Sequence, residues 1–333
     1  MRRKNINKKQ TNNDMNPIKI KEMSMEYAIR FRSGSNIGSD ILLIDDMTQM
    51  QLPKEPMRMQ CLFLALCLKG SARYFVDSVE HVVEPGDLII KLATAGNVNA
   101  MTAEAHPHPK TLTYSHIVPG MWYSVSATNA AALCQRWMRD CFFKAEQAGA
   151  ARNLYEVMDA EAATSEIGAR GVFFHPYLQG ERCPYWDANL RASFTGVSIG
   201  STRGDFCRAL LEGVAFSLRD CYGTLKEMRL PVKRIFLIGG GARSKLWSEI
   251  VANVFNCSVA VPTPGDASFG ACLLAGTGIG VFRDVRDAVA KCLHVDRTIA
   301  PDPAAAAKYD HLYTCYKRIH DALAPVYSQR KNP

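Results

Sequence analysis

Gly239, Gly240 and Gly241 form the stretch whose residue types point most directly to chemistry. They are followed by Ala242 and, two positions on, by Ser244. Three successive glycines strip every Cβ from a turn, so a ligand can approach the backbone closely. The run stands between an apolar strand pattern (Ile235, Phe236, Leu237, Ile238) and an amphipathic helix pattern opened by Ser244. Amides at a helix N-terminus carry partial positive charge, and anions or polar nucleotide edges are welcome there. The spacing is neither that of a P-loop, since no Gly-Lys-Ser/Thr follows, nor GxGxxG. A tight strand–helix connection that needs glycine only for positive φ is the alternative reading. His106 and His108 are two apart in a loop broken by Pro107 and Pro109, with no third ligand nearby, so no metal site is expected. His116 and Trp122 lie on strand-like segments and read as core residues.

The elements that must position these groups divide the chain in two. Residues 1–22 form a basic tail with Arg2, Arg3, Lys4, Lys8, Lys9, Lys19 and Lys21, expected to be disordered and solvated rather than bound to nucleic acid. Residues 23–90 read as short strands at 27–32, 40–45, 59–68, 72–78, 80–84 and 87–93, an all-β pattern. From Lys91 the pattern becomes α/β. A strand breaks at the small residues 93–97, and two more strands lie within 111–127. Helices are expected over Ala130–Phe143, residues 205–225, the segment after Ser244, Ser268–Gly276 and Pro303–Tyr327, with a strand at 258–262. The tyrosines at 309, 313 and 316 mark a packed helix face.

Composition bounds the rest. The 333 residues are 47% hydrophobic and 22% charged, with a net charge of +8, which is ordinary for a globular protein of about two domains. Eleven cysteines without a CxxC pair suggest free thiols and a cytoplasmic setting. The longest apolar run, residues 61–68, is too short to span a membrane.

Two resemblances follow from particular segments. ALCLKGSARYFVDSVEHVVEPGDLII resembles the front half of the cupin-like sensor domain of AraC-type regulators, although no helix-turn-helix pair follows. PYLQGERCPYWDANLRASFTG (176–196), GVSIGSTRGDFCRALLEGVAFSLRD (196–220), LIGGGARSKLWSEIVANV (237–254) and VPTPGDASFGACLLAG (261–276) resemble, in order, the C-terminal half of FGGY-type carbohydrate kinases. Among these they look most like the xylulokinases.

That resemblance implies an actin-like ATPase fold with a ribonuclease-H-like domain over 91–327, after a small all-β cupin-like fragment at 23–90 and before a tail at 328–333. It implies ATP and Mg²⁺ as cofactors and a sugar as the small-molecule partner. Ala93–Gly96 falls where the family has Gly-Thr-Ser-Gly, so Thr94 is expected to offer a hydroxyl and Gly96 an exposed amide to phosphate. Gly239, Gly240, Gly241 and Ala242, with Ser244 and Lys245, match the segment that lies against the nucleotide. Glu181 and Arg182 match a signature loop near the cleft, where a buried ion pair is an equal reading; Arg203 reads as a solvated arginine beside a helix cap. The family's general base is an aspartate shortly before the Gly-Thr-Ser-Gly turn. Asp87 is not assigned that role, no catalytic residue is expected, and little turnover is expected from this chain alone. A sugar-sensing regulator fragment and a non-catalytic nucleotide-binding remnant are the alternatives.

Overall fold

The structure is a computed structural model that describes residues 84–148, 153–263 and 267–329, with four short strands nearer the N-terminus. The chain divides into two units, Met1–Tyr74 and Phe75–Pro333. In the first, β1 (Lys21–Met23) pairs in parallel with β4 (Met57–Met59), and β2 (Asn36–Ile37) pairs antiparallel with β3 (Ile41–Leu42). Strand β1 therefore begins inside the expected tail, because Lys21 and Glu22 find partners in Met57 and Arg58. Most of the strands expected over 23–83, and the cupin-like stretch up to Val83, lie outside the described residues.

The second unit is built on a mixed sheet. Its strands are β5 (Asp87–Leu92), β6 (Gly96–Thr102), β7 (Leu112–Ser115), β8 (Trp122–Ala127), β11 (Arg234–Ile238), β12 (Val259–Thr263) and β13 (His294–Ile299), in the order β13-β12-β11-β5-β6-β8-β7. A separate antiparallel pair joins β9 (Phe173–His175) to β10 (Ser193–Thr195). The helices are α1 (Ala132–Phe142), α2 (Lys144–Ala148), α3 (Leu154–Ala163), α4 (Arg203–Glu227), α5 (Lys245–Phe255), α6 (Ala267–Gly278), α7 (Val285–Cys292) and α8 (Pro303–Ser328).

Strand β5 is central because DLIIKL is apolar on both pleats. Leu88, Ile90 and Leu92 join the main core with α1, α4, α5 and α8, while Ile89 packs with Met101, Met121, Phe236 and Ile238 on the other face. A slip of one residue would exchange these faces. The expected boundary at residue 90 falls inside this strand, and Asp87 through Leu92 pair continuously with β6 or β11. Residues 87–90 thus belong to the seven-stranded sheet and not to a preceding fragment.

Helix α4 is the hub of the main core. Thr202 and Asp205 form a reciprocal capping box at its start. Ala209, Leu210, Val214 and Leu218 are buried as their spacing predicts. So are Arg208, Glu212 and Asp220, because α3, α5, α8 and β9 close around the helix. Arg208 Nε donates to Glu212 Oε1 at 2.8 Å, and Tyr309 Oη donates to the same oxygen at 2.9 Å. The tyrosine face of α8 is packed, with Tyr309 and Tyr316 fully buried. Strand β13, which the sequence reading leaves out, is a largely exposed edge strand.

One ion pair fixes the parallel register of β5 and β11. Asp87 is 2% exposed and takes Arg234 Nε at 2.8 Å and Nη2 at 2.6 Å, as well as the Glu84 amide at 2.7 Å. Arg234 is half exposed, so its loss leaves a buried carboxylate only partly compensated. Arg234→Met is expected to cost about 2 kcal/mol, and adding Asp87→Asn should return most of it. Urea unfolding measures this, and an Arg234→Met chain as stable as the unaltered one would contradict the assignment.

Candidate functional site

Because β5 and β11 are parallel neighbours, the bend after Leu92 and the glycine run after Ile238 emerge side by side at one edge of the sheet. Their closeness is measurable at Gly239, where a Cβ would lie 2.6 Å from the Leu92 carbonyl oxygen. Gly239 has φ 94° and ψ 177°, a conformation left essentially to glycine.

The three glycines divide the work. Gly239 and Gly241 serve packing: a Cβ on Gly241 would meet Leu92 Cβ at 2.8 Å and the Trp247 ring at 3.0 Å. Gly240 is exposed, and nothing lies within 4 Å of where its Cβ would be. A short 3₁₀ turn over Gly240–Arg243 precedes α5, closed by the Ala242 amide on the Gly239 carbonyl at 3.1 Å. Ala242 is buried, and its carbonyl accepts from Arg297 and from the Ser248 hydroxyl. Ser244 caps α5 by accepting from the Trp247 amide at 3.0 Å, so this oxygen is engaged in the fold. Lys245 is exposed at the first position of the helix.

The bend at 93–95 is shaped by a helix that lacks a side-chain cap. α1 follows Ala131, and its orphan amides are met by the bend: Ala132 donates to the Ala93 carbonyl at 2.8 Å, and Ala131 and Leu133 to that of Thr94 at 3.0 and 3.2 Å. In a trans peptide the C=O and the following N–H point in opposite directions. With the Ala93 and Thr94 carbonyls turned towards α1, the amides of Thr94 and Ala95 turn away from it. Among the described residues none accepts from the N–H of Thr94, Ala95 or Gly240. Thr94 is exposed, so its hydroxyl and two adjacent amides stand beside the open Gly240. Successive outward amides of this kind suit an anionic oxygen.

Gly96 does not offer the exposed amide expected of it. It is buried, and its N–H donates to Thr128 Oγ1 at 3.2 Å while the Thr128 amide returns to the Gly96 carbonyl at 2.8 Å. Glycine is needed there because a Cβ would lie 2.8 Å from the Leu218 side chain.

Residues from the signature loop brace this arrangement from behind. Glu181 is buried and its Oε1 accepts from the amides of Asn129 at 2.8 Å and Arg182 at 2.7 Å. Burial raises its carboxyl to about 7 against the pull of those amides. Arg182 donates to the Thr128 carbonyl at 3.2 Å. Glu181 and Arg182 therefore hold the Thr128–Asn129 turn and, through it, Gly96, rather than forming a simple buried pair. Arg203 is exposed beside the Thr202 cap, as expected, and is also ion-paired. It lies between Glu146 and Glu161 at 2.5 Å each and stacks over Phe143. Two residues that the sequence reading missed stand near Ser244. Gln135 of α1 donates to Asp159 of α3 at 3.4 Å, and burial raises the Asp159 carboxyl more than the Ser244 hydroxyl lowers it. No spacing pattern links positions 135, 159 and 244; three packed helices do.

Among the described residues no group of three or more His, Cys, Asp or Glu is placed to hold a metal ion, and no helix is long and apolar enough to cross a membrane.

Residues 90–279 match the C-terminal domain of the FGGY family of carbohydrate kinases. A xylulose kinase of Staphylococcus epidermidis is 35% identical over 208 residues, which is 62% of this chain and 40% of that protein. A gluconokinase of Bacillus licheniformis is 30% identical over 258 residues, 76% of this chain and 50% of that protein. The crystal structure of xylulose kinase from Rhodospirillum rubrum superposes with a TM-score of 0.65 at 30% identity, covering 74% of this chain and 49% of that one. The chain thus spans about half the length of the relatives it matches.

The division of labour among the glycines is testable. Gly239→Ala should cost more than about 2 kcal/mol, from the clash with Leu92 and the positive φ. Gly240→Ala should stay within about 0.5 kcal/mol of the unaltered chain. Equal losses for the two variants in urea unfolding would contradict this division.

Proposed function

Because the chain belongs to the FGGY family of carbohydrate kinases through that family's C-terminal domain, we propose that residues 87–327 are the nucleotide-binding half of an ATP-dependent sugar kinase. The sugar is a ketopentose, with xylulose first, as the names of several relatives suggest. The observation that carries the reading is the juxtaposition of the Thr94 bend and the Gly240 turn at one sheet edge, with unpartnered amides on both. The mixed sheet with α4 against one face fits a ribonuclease-H-like half of an actin-like fold.

ATP, when bound, supplies the phosphoryl group. Phosphoryl transfer asks the protein chiefly for positioning and charge stabilisation. Here the N–H groups of Thr94, Ala95 and Gly240 and the Thr94 hydroxyl hold phosphate oxygens. The small Ala93 and Ala95 leave the bend open. Lys245 and Arg243, both exposed beside the run, add positive charge. Mg²⁺ would arrive on the phosphates of ATP, since among the described residues no group of three or more His, Cys, Asp or Glu is placed to hold it.

Within this half no general base is assigned. Asp87 is at the far end of β5 from the bend, and its oxygens are engaged by Arg234 and the Glu84 amide. The chain by itself therefore binds nucleotide with little turnover. Buried free thiols at Cys134, Cys183, Cys207 and Cys221 fit a reducing, cytoplasmic setting.

Thermal unfolding with ATP–Mg²⁺ tests the reading. The melting temperature should rise with ligand concentration, as binding to the native state requires. Gly240→Leu should abolish the rise while leaving the ligand-free melting temperature unchanged. A coupled ADP-release assay with xylulose, gluconate and glycerol should give little or no turnover from the chain alone. Absence of any ATP-dependent shift, or an equal shift in Gly240→Leu, would overturn the nucleotide reading; brisk turnover would overturn the account of the missing base.

A further inference from the structure

On the face of the sheet away from α4, one row of side chains runs through Ile238, Lys91, Asn97 and Ala127, which are register partners across β11, β5, β6 and β8. This row is the last before the bend. The row beneath it, Phe236, Ile89, Asn99 and Val125, is largely apolar. A lysine in the central strand of a sheet, half-buried and between Ile238 and Asn97, needs an explanation.

Lys91 takes no carboxylate or hydrogen-bond partner among the described residues. Other arginines and lysines at comparable depth do: Arg139 pairs with Asp140, Arg219 with Asp310, Arg297 with Asp296 and Lys317 with Asp220. The Lys91 ammonium is not among the buried polar atoms left without a partner, so it reaches solvent at this end of the sheet. A buried acceptor is available diagonally below it, since Asn99 Oδ1 has no partner, yet the ammonium does not turn down the face to meet it. Upwards, the way is open. Beyond the end of β5 the bend opens on Ala93, with a single methyl, and beside it Gly239 has no side chain. The bend begins two residues, about 7 Å, beyond Lys91, within the span of a four-carbon stem and a hydrogen bond.

We infer that Lys91 is a phosphate-binding residue whose ammonium reaches past Ala93 to the polyphosphate held on the Thr94 and Gly240 amides. The inference rests on the nucleotide reading of that site and adds a cation to it. The backbone amides fix the position of the phosphates; Lys91 supplies a point charge, so its contribution grows with the number of phosphates on the ligand. Asn97, its partner on β6, presents an amide next to the stem.

Isothermal titration of the full chain with ATP, AMP and inorganic tripolyphosphate, on the unaltered protein and on Lys91→Gln and Lys91→Arg, tests this. Lys91→Gln should weaken ATP and tripolyphosphate about tenfold and leave AMP unchanged, while Lys91→Arg should stay within about threefold for all three ligands. Ligand-free melting temperatures should be the same in all three chains, which separates lost charge from lost fold. Lys91→Gln binding ATP and tripolyphosphate as tightly as the unaltered chain would overturn the inference and leave the nucleotide reading standing. A Lys91-dependent tripolyphosphate affinity with no tighter binding of ATP would leave Lys91 as an anion ligand and remove the nucleotide reading. Binding of none of the three ligands by the unaltered chain would remove both.

Discussion

Two guanidinium hydrogen bonds from Arg234 to Asp87 hold β5 and β11 in parallel register where the strands start, and everything at the other edge follows from that register. Strands locked in step at one end must finish in step at the other. Parallel direction then places the bend after Leu92 beside the glycine run after Ile238, without either turn having to reach for the other. The pair also accounts for an aspartate that sits close in sequence to a phosphate-like turn but takes no part in it. Asp87 is near the bend along the chain and far from it along the strand.

The bend itself is oriented by a deficit elsewhere. Helix α1 starts after Ala131 with no side chain to satisfy its first amides, and the carbonyls of Ala93 and Thr94 fill that need. Turning those carbonyls inward turns the next amides outward. Thr128, itself gripped by Arg182, with its neighbour Asn129 held by Glu181, fastens Gly96 and keeps the bend from relaxing. A signature loop distant in sequence thus acts on the bend by holding backbone. Rigid placement of donors is what such a site contributes, since donors that need no reorganisation stabilise charge best.

Much of this was legible in the sequence, where local chemistry decides. The glycine run, the Ser244 cap and the buried face of α5 (Trp247, Ile250, Val251 and Val254) are consequences of residues within a few positions of one another. Most of the order of strands and helices from Lys91 onward was also readable from period and punctuation, α7 and β13 excepted. What was not legible depends on partners far along the chain. Gly96 looks like an open glycine until Thr128 closes over it, 32 residues away. Arg203 is exposed beside the cap as its position suggests, but its two ion pairs depend on Glu146 and Glu161 from α2 and α3. Helix α4 shows an ordinary inner face, yet it is enclosed on nearly all sides because three other helices and β9 pack on it, and no periodicity records that. The boundary expected at residue 90 falls inside β5, because Pro85-Gly86-Asp87 suits a turn in either of two families. Only the pairing of Asp87 with Arg234 decides which sheet it opens.

The central claim is that one nucleotide polyphosphate lies on both turns at once. The backbone amide spectrum of the full chain, followed by NMR as ATP–Mg²⁺ is added, tests it most directly. The account predicts that the amide signals of Thr94, Ala95 and Gly240 move together along a single saturation curve while those of Asp87 and Arg234 stay in place. Movement at only one of the two turns, or saturation with all three amides unmoved, would contradict it.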